Sequence, residues 1–237
     1  MPHATASIPP VAGAEFVRMR ALAGFVVALV VAGTAAAEPG DVPRALRRTL
    51  HAASVRIDPP GCSGVLAENR QIVVTALHCI KNGVEHVPLA FMDGEHRRGW
   101  VVATDDVADQ AVLFLEDPVD IAPLAIVRRR QIPGTVLYFE GNPGTPRFQS
   151  ARLDKIGRCP SLPGLANALF TSINGVPGDS GAPLVDVAAE VVGLVHGGAR
   201  CHIATPADTL ARLVDQVLER DDVVRETRAP HAPRPHG

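Results

Sequence analysis

Short apolar runs set the limits on what this chain can become. Stretches rich in Val, Ile, Leu and Phe recur at 52–57, 63–67, 71–76, 86–92, 99–103, 111–115, 135–140, 149–156, 167–172, 183–186 and 190–196. Turn signals such as DPPG at 58–61, KNG at 81–83, MDG at 92–94 and GNPG at 141–144 separate many of them. Each run has the length of a strand, and helical periodicity is scarce before residue 205. The class expected is all-β, a sandwich or barrel, and the number of runs fits two successive six-stranded antiparallel barrels. Twenty-one glycines and twenty-one prolines in 237 residues agree with so many turns, and 46% hydrophobic residues supply a core for one domain.

One helix is expected at the C-terminal end. Thr205 suits a cap and Pro206 the first helical position, and Leu210, Leu213, Val214, Val217 and Leu218 fall on one face. That stripe reads as a docking surface. From Arg228 the tail RAPHAPRPHG has too little apolar content to fold, so 228–237 is expected to be disordered.

At the other end, Arg18 and Arg20 precede an uncharged run from Ala21 to Ala37 that closes in TAAA before Glu38. A basic region, an apolar segment and small residues at its end are the marks of a secretory signal, and the run is shorter than the about 20 residues a membrane span needs. Residues 1–37 are therefore expected to be a signal peptide, removed on export to a secreted or periplasmic location. Residues 38–50, polar and proline-containing, read as a surface lead-in or short propeptide, and 51–227 as the folded domain. Export favours two disulfides among Cys62, Cys79, Cys159 and Cys201, whereas a thiolate zinc site would show close C-x-x-C pairs that are absent here. A net charge of −2 without a dense basic block argues against nucleic acid or an anionic membrane as partner, and RRR at 128–130 reads as a solvated loop.

Three stretches carry candidate chemistry. GVPGDSGAPL at 175–184 crowds a hydroxyl, a carboxylate and three glycines before an apolar run. A turn needs only the glycines; a nucleophilic Ser180 needs a base, an orienter for that base and N–H groups aimed at developing charge. CSGVLAENRQIVVTALHC at 62–79 reads as a hairpin ending in His78 beside a cysteine, and DQAVLFLE places Asp109 at the mouth of a buried strand. Taken singly, Ser180 suits a turn, His78 a buried imidazole and Asp109 a strand edge. Asp105 and Asp106 are rivals for the acid, though neither is followed by AVL.

Together the blocks VVTALHC, DQAVLFL and GDSGAPL, in that order, make the chain resemble a chymotrypsin-like (trypsin-superfamily) serine peptidase of the bacterial secreted type. The resemblance spans about 52–220 and implies a fold of two six-stranded antiparallel β-barrels with a C-terminal α-helix. It implies that Ser180 attacks a peptide carbonyl, that His78 carries the proton and that Asp109 orients His78. Gly178 and Ser180 would supply the oxyanion-hole N–H groups, and Gly181 would keep bulk away from the substrate. The resemblance pairs Cys62 with Cys79 and leaves Cys159 with Cys201 as a rearranged pocket bridge, because Val176 stands where the family's bridge begins. It implies a monomer acting on polypeptides, with no metal or organic cofactor, and loss of activity below about pH 6 to 7, where a histidine base takes up a proton. A silent homologue acting as a binding protein is the alternative from another class.

Departures from the family pattern carry expectations of their own. No Ile-Val-Gly-Gly-type terminus is seen before the hairpin, so a buried Asp179 needs another cation, an arginine being the natural choice. Asn174 stands where trypsin-like members carry a pocket aspartate. His196, in LVHGG, resembles the histidine that faces an acidic substrate side chain in glutamyl endopeptidases, which implies a preference for acidic residues, although the companion hydroxyl is replaced by Gly175. Gly197 and Gly198 would present backbone groups to an extended substrate.

Overall fold

A computed structural model describes residues 40–80, 83–141, 145–196 and 201–228, with side chains to residue 220. The expected signal peptide and nearly all of the expected disordered tail lie outside the described residues.

Twelve strands form two closed antiparallel barrels. The first contains β1 (Ser54–Ile57), β2 (Cys62–Leu66), β3 (Ile72–Ala76), β4 (His86–Phe91), β5 (His96–Asp105) and β6 (Gln110–Leu115), in the order β1-β2-β3-β6-β5-β4. The second contains β7 (Val136–Gly141), β8 (Arg147–Gly157), β9 (Ala168–Thr171), β10 (Pro183–Val185), β11 (Val191–Val195) and β12 (Ile203–Pro206), in the order β10-β11-β12-β9-β8-β7. Closure leaves no unpaired sheet edge, so every short strand is satisfied on both sides. β2, β3, β10 and β11 are buried along their whole length, which is why their sequences read as continuous apolar runs instead of alternating ones.

Eleven of these strands coincide with the expected runs; β12 does not. Its residues IATP were read as the approach to the helix. Thr205 instead pairs with Leu194 on β11, and the helix α2 (Ala207–Arg228) begins one residue beyond Pro206. Its inward stripe is as expected, with Leu210, Val214 and Val217 buried.

The lead-in is corrected more substantially. Residues Arg44–Ala53 form helix α1, which buries Leu46, Leu50 and Ala53. Their i, i+4, i+7 spacing is helical, but the arginines at 44, 47 and 48 gave RALRRTLHAA the composition of an exposed stretch of chain. With Val42, this face joins a core shared by Val74 and Val112 of the first barrel, Val185 and Leu194 of the second, and Leu210 of α2. Burying each such side chain is worth about 1.5–3 kcal/mol. A buried polar link runs beside it: Gln110 Nε2 donates to Thr205 Oγ1 at 2.9 Å and to the Pro206 carbonyl at 3.0 Å, and its Oε1 accepts from Thr209 Oγ1 at 2.8 Å. One side chain thus joins the first barrel to the second and to α2.

Candidate active site

β3 runs directly into a 3-10 turn, Leu77–Cys79, that carries His78. The Cys62–Cys79 disulfide ties this turn to the start of β2, with Cα atoms 5.9 Å apart. Asp109 meets it from the neighbouring strand. Asp105 Oδ1 accepts from the N–H groups of Val107 and Ala108, each at 2.9 Å, closing the turn that delivers Asp109. The rival acid is therefore spent on shaping the loop. Asp109 itself holds φ at 53°, in the left-handed region that non-glycine residues rarely occupy.

That conformation is held from several sides. The Asp109 carbonyl accepts from Leu77 N at 3.0 Å, Oδ1 accepts from His78 N at 2.9 Å, and Oδ2 lies 2.6 Å from His78 Nδ1. Burial pushes the Asp109 carboxyl up, but hydrogen bonds from His196 and then His78 outweigh it and hold the group at about 2. An ionised carboxylate only accepts, so His78 Nδ1 carries the proton and Nε2 is left with its lone pair.

His196 is the largest departure from expectation. Its Nδ1 also lies 2.6 Å from Asp109 Oδ2, and its ring stands edge-on to that of His78 with centroids 5.2 Å apart. Both the carboxylate and the imidazole are largely buried in this contact. The ring is thus committed to Asp109, and the expected acidic preference loses the side chain that motivated it.

Ser180 sits in a loop fastened to the first barrel. Ser63 Oγ on β2 donates to the Gly178 carbonyl at 2.6 Å, and Ser63 N donates to the Ser180 carbonyl at 2.8 Å. Gly178 takes φ 99°, a conformation open to glycine, and among the described residues neither Gly178 N nor Ser180 N donates to a protein acceptor. The Ser180 hydroxyl donates to the His196 carbonyl at 3.3 Å. Gly181 has a different role from the one expected: a Cβ there would stand 2.2 Å from the Ser63 carbonyl and 2.3 Å from Thr75 Oγ1. Its missing side chain lets the loop dock on β2 and β3.

The chain matches the trypsin-like peptidase domain family over residues 62–194, more than half its length. The chain belongs to the trypsin-like peptidase family. Among curated proteins it is similar to HhoA of Synechocystis sp., a serine protease by inference, with 29% identity over 143 residues. That match covers 56% of this chain and 35% of the relative, so the chain spans about a third of the relative's length. Among solved structures it is similar to the MamO protease domain from Magnetospirillum magneticum in its apo form. The TM-score is 0.61 at 17% identity, over 70% of this chain and 97% of that one. This second likeness speaks for the fold.

In this trypsin-like peptidase the cation beside Asp179 is Arg147. Asp179 is fully buried, and its Oδ2 accepts from Arg147 Nη1 at 2.7 Å and from Val176 N at 2.8 Å. Arg147 Nη2 also donates to the Asn174 carbonyl at 3.2 Å, so a single guanidinium spans the segment leading to Ser180. The need for an arginine was legible from Asp179, but its address on β8 was not. Asn174 is exposed. Gly197 and Gly198 lie outside the described residues. Cys159 and Cys201 are bonded, with Cα atoms 6.3 Å apart. Ser63 was missed as an anchor of the Ser180 loop; its local signal is adjacency to the cysteine of the histidine hairpin. His78, Asp109 and His196 bring metal-ligand atoms within 4.8 Å of one another, whereas the cysteines of the second such trio, Cys62, His78 and Cys79, are spent in a disulfide.

Proposed function

We propose that the chain is an exported serine endopeptidase in which Ser180 attacks the peptide carbonyl, His78 Nε2 takes the hydroxyl proton, and Asp109 holds the ring and its developing charge. The observation that carries this reading is the double attachment of His78 to one carboxylate, through backbone N–H and ring Nδ1, which fixes both ring position and tautomer. The proton then passes to the leaving amine, and water hydrolyses the acyl-enzyme with His78 as base a second time. Gly178 N and Ser180 N, free of protein acceptors among the described residues, are the donors for the oxyanion, where one lost donor costs about 2.7–4 kcal/mol of transition-state stabilisation. His196 acts as a positioning residue: it fixes Asp109 through its ring and Ser180 Oγ through its carbonyl. Arg147 supplies a permanent cation to Asp179, which supports a loop that needs no inserted chain terminus.

One observation favours the alternative, a silent homologue that binds polypeptides. The Ser180 hydroxyl is bonded to a carbonyl and must turn from it to reach the imidazole. Labelling with a fluorophosphonate decides between them. The peptidase reading expects covalent labelling that Ser180→Ala abolishes; an unlabelled wild-type chain that still binds peptide overturns it. A profile of cleaved peptides then gives the side-chain preference.

A further inference from the structure

We propose that His78, His196 and Asp109 form a zinc site whose occupancy and proteolysis exclude one another. Orienting one base requires one carboxylate and one imidazole, yet here two imidazoles converge on the same oxygen. The Nδ1 atoms of His78 and His196 each lie 2.6 Å from Asp109 Oδ2. Two nitrogens and a carboxylate oxygen are a donor set that zinc, of borderline softness, takes at about 2.0–2.2 Å. Around a tetrahedral ion such donors stand about 3.3 Å apart, so each nitrogen–oxygen separation needs to open by less than an ångström, and the ligand atoms of the trio all lie within 4.8 Å of one another. The residues come from three elements: the turn after β3, the mouth of β6 and the end of β11. The site is therefore built by the fold.

Access is one-sided. The His78 side chain is 41% exposed, against 13% for His196 and 11% for Asp109. An ion enters past His78 and keeps its fourth position on that exposed side, where water completes the shell.

Binding changes the tautomer of both rings. In the metal-free form Nδ1 carries the proton that Asp109 accepts. With zinc on Nδ1 a neutral imidazole keeps its single proton on Nε2, so no proton is gained or lost and the lone pair that would take the Ser180 proton is gone. Zinc thus silences the base by changing its tautomer. This consequence rests on the proposed peptidase activity; the binding does not.

The test is calorimetric titration of the full chain carrying Ser180→Ala with Zn²⁺, paired with ¹⁵N spectra of the histidine rings. One ion per chain at micromolar affinity is expected, weakened at least tenfold by His196→Ser and, independently, by His78→Gln. Saturating zinc is expected to move the proton from Nδ1 to Nε2 in both rings. Unchanged affinity in both variants, or unmoved Nδ1–H signals at saturation, overturns the proposal and assigns any bound zinc to other residues among the nine histidines. In the wild type, zinc is expected to suppress fluorophosphonate labelling and a chelator to restore it. Labelling that persists at saturation overturns the exclusion. A chain that never labels sinks the peptidase reading, while calorimetry and spectra still judge the site.

Discussion

Two places among the described residues gather a serine, a histidine and a carboxylate, and their hydrogen bonds are arranged differently. At the candidate site, Asp109 faces His78 and His196 while Ser180 hangs from the His196 carbonyl. On the second barrel, Glu140 of β7 faces His51 of α1 at 2.6 Å, and Ser54 Oγ donates to its other oxygen at 3.2 Å. The pairs have equal length but opposite electrostatics. Three N–H contacts reach the Asp109 carboxylate and hold it at about 2, whereas burial pushes Glu140 up against the hydrogen bonds of His51 and Ser54. Ser54 is fully buried and gives its proton to the acid, so it has neither access to a substrate nor a base. The Glu140 cluster is a clasp that fastens α1 to the second barrel. The same residue types thus serve two arrangements, told apart by burial and by where each hydrogen bond runs.

The sharpest way to break this contrast is to remove each serine. Ser180→Ala is expected to lower kcat by about 10⁶-fold, the scale seen when a nucleophile is deleted. Ser54→Ala should leave turnover intact and cost about 1–3 kcal/mol of stability, because a buried carboxylate loses a donor. Peptide hydrolysis and denaturant midpoints measured on both variants check this, and a large loss of kcat in Ser54→Ala would reverse the assignment.

Neutralising the acids comes next. Asp109→Asn is expected to lower kcat by about 10⁴-fold, since an amide can present a donor to Nδ1 and select the wrong tautomer. Glu140→Gln should spare kcat and act on the attachment of α1, read as faster hydrogen exchange over Arg44–Ala53. Equal losses of kcat in the two variants would erase the distinction between site and clasp.

A third buried acid sharpens the comparison, because Asp179 has a permanent cation instead of an imidazole. Removing one partner of a buried ion pair costs about 3–5 kcal/mol, and Arg147 is 29% exposed, so Arg147→Met is expected near the lower end, about 3 kcal/mol. The denaturant midpoint measures it, and a midpoint within error of wild type would remove Arg147 from the support of the loop.

The smallest effect is on acid stability. The Asp109 carboxyl is lowered from 3.8 to about 2, so its contribution is fully present above pH 4 and is lost as pH falls from about 4 to about 2. After screening in a partly open site this amounts to about 1–2 kcal/mol. Glu140 has the opposite sign: its raised value favours the protonated folded state, and that contribution is lost as pH rises through it. Thermal unfolding between pH 2 and 5 should show a steep acid limb that Asp109→Asn flattens and Glu140→Gln does not.

Much of this was legible in the chain before it folded. Eleven strands announced themselves as apolar runs between turns, because strand length and turn chemistry are local properties. The histidine, aspartate and serine blocks were legible because their hydrogen bonds and glycine conformations need particular residue types at fixed short offsets. The strand IATP was hidden because a threonine and a proline before a helix satisfy helix-capping rules equally well. Helix α1 was hidden because three arginines masked a three-residue apolar face.

What the sequence by itself determined was the order and identity of these local units, including the need for a cation beside Asp179. Only the tertiary structure decided that Arg147 answers it across 32 residues, that His196 turns to Asp109 across 87, and that His51 and Glu140 meet across 89. Such contacts are set by how two closed barrels and two helices share one buried core. The energy of that packing, and not any local preference, selects which distant polar groups are brought within reach of one another.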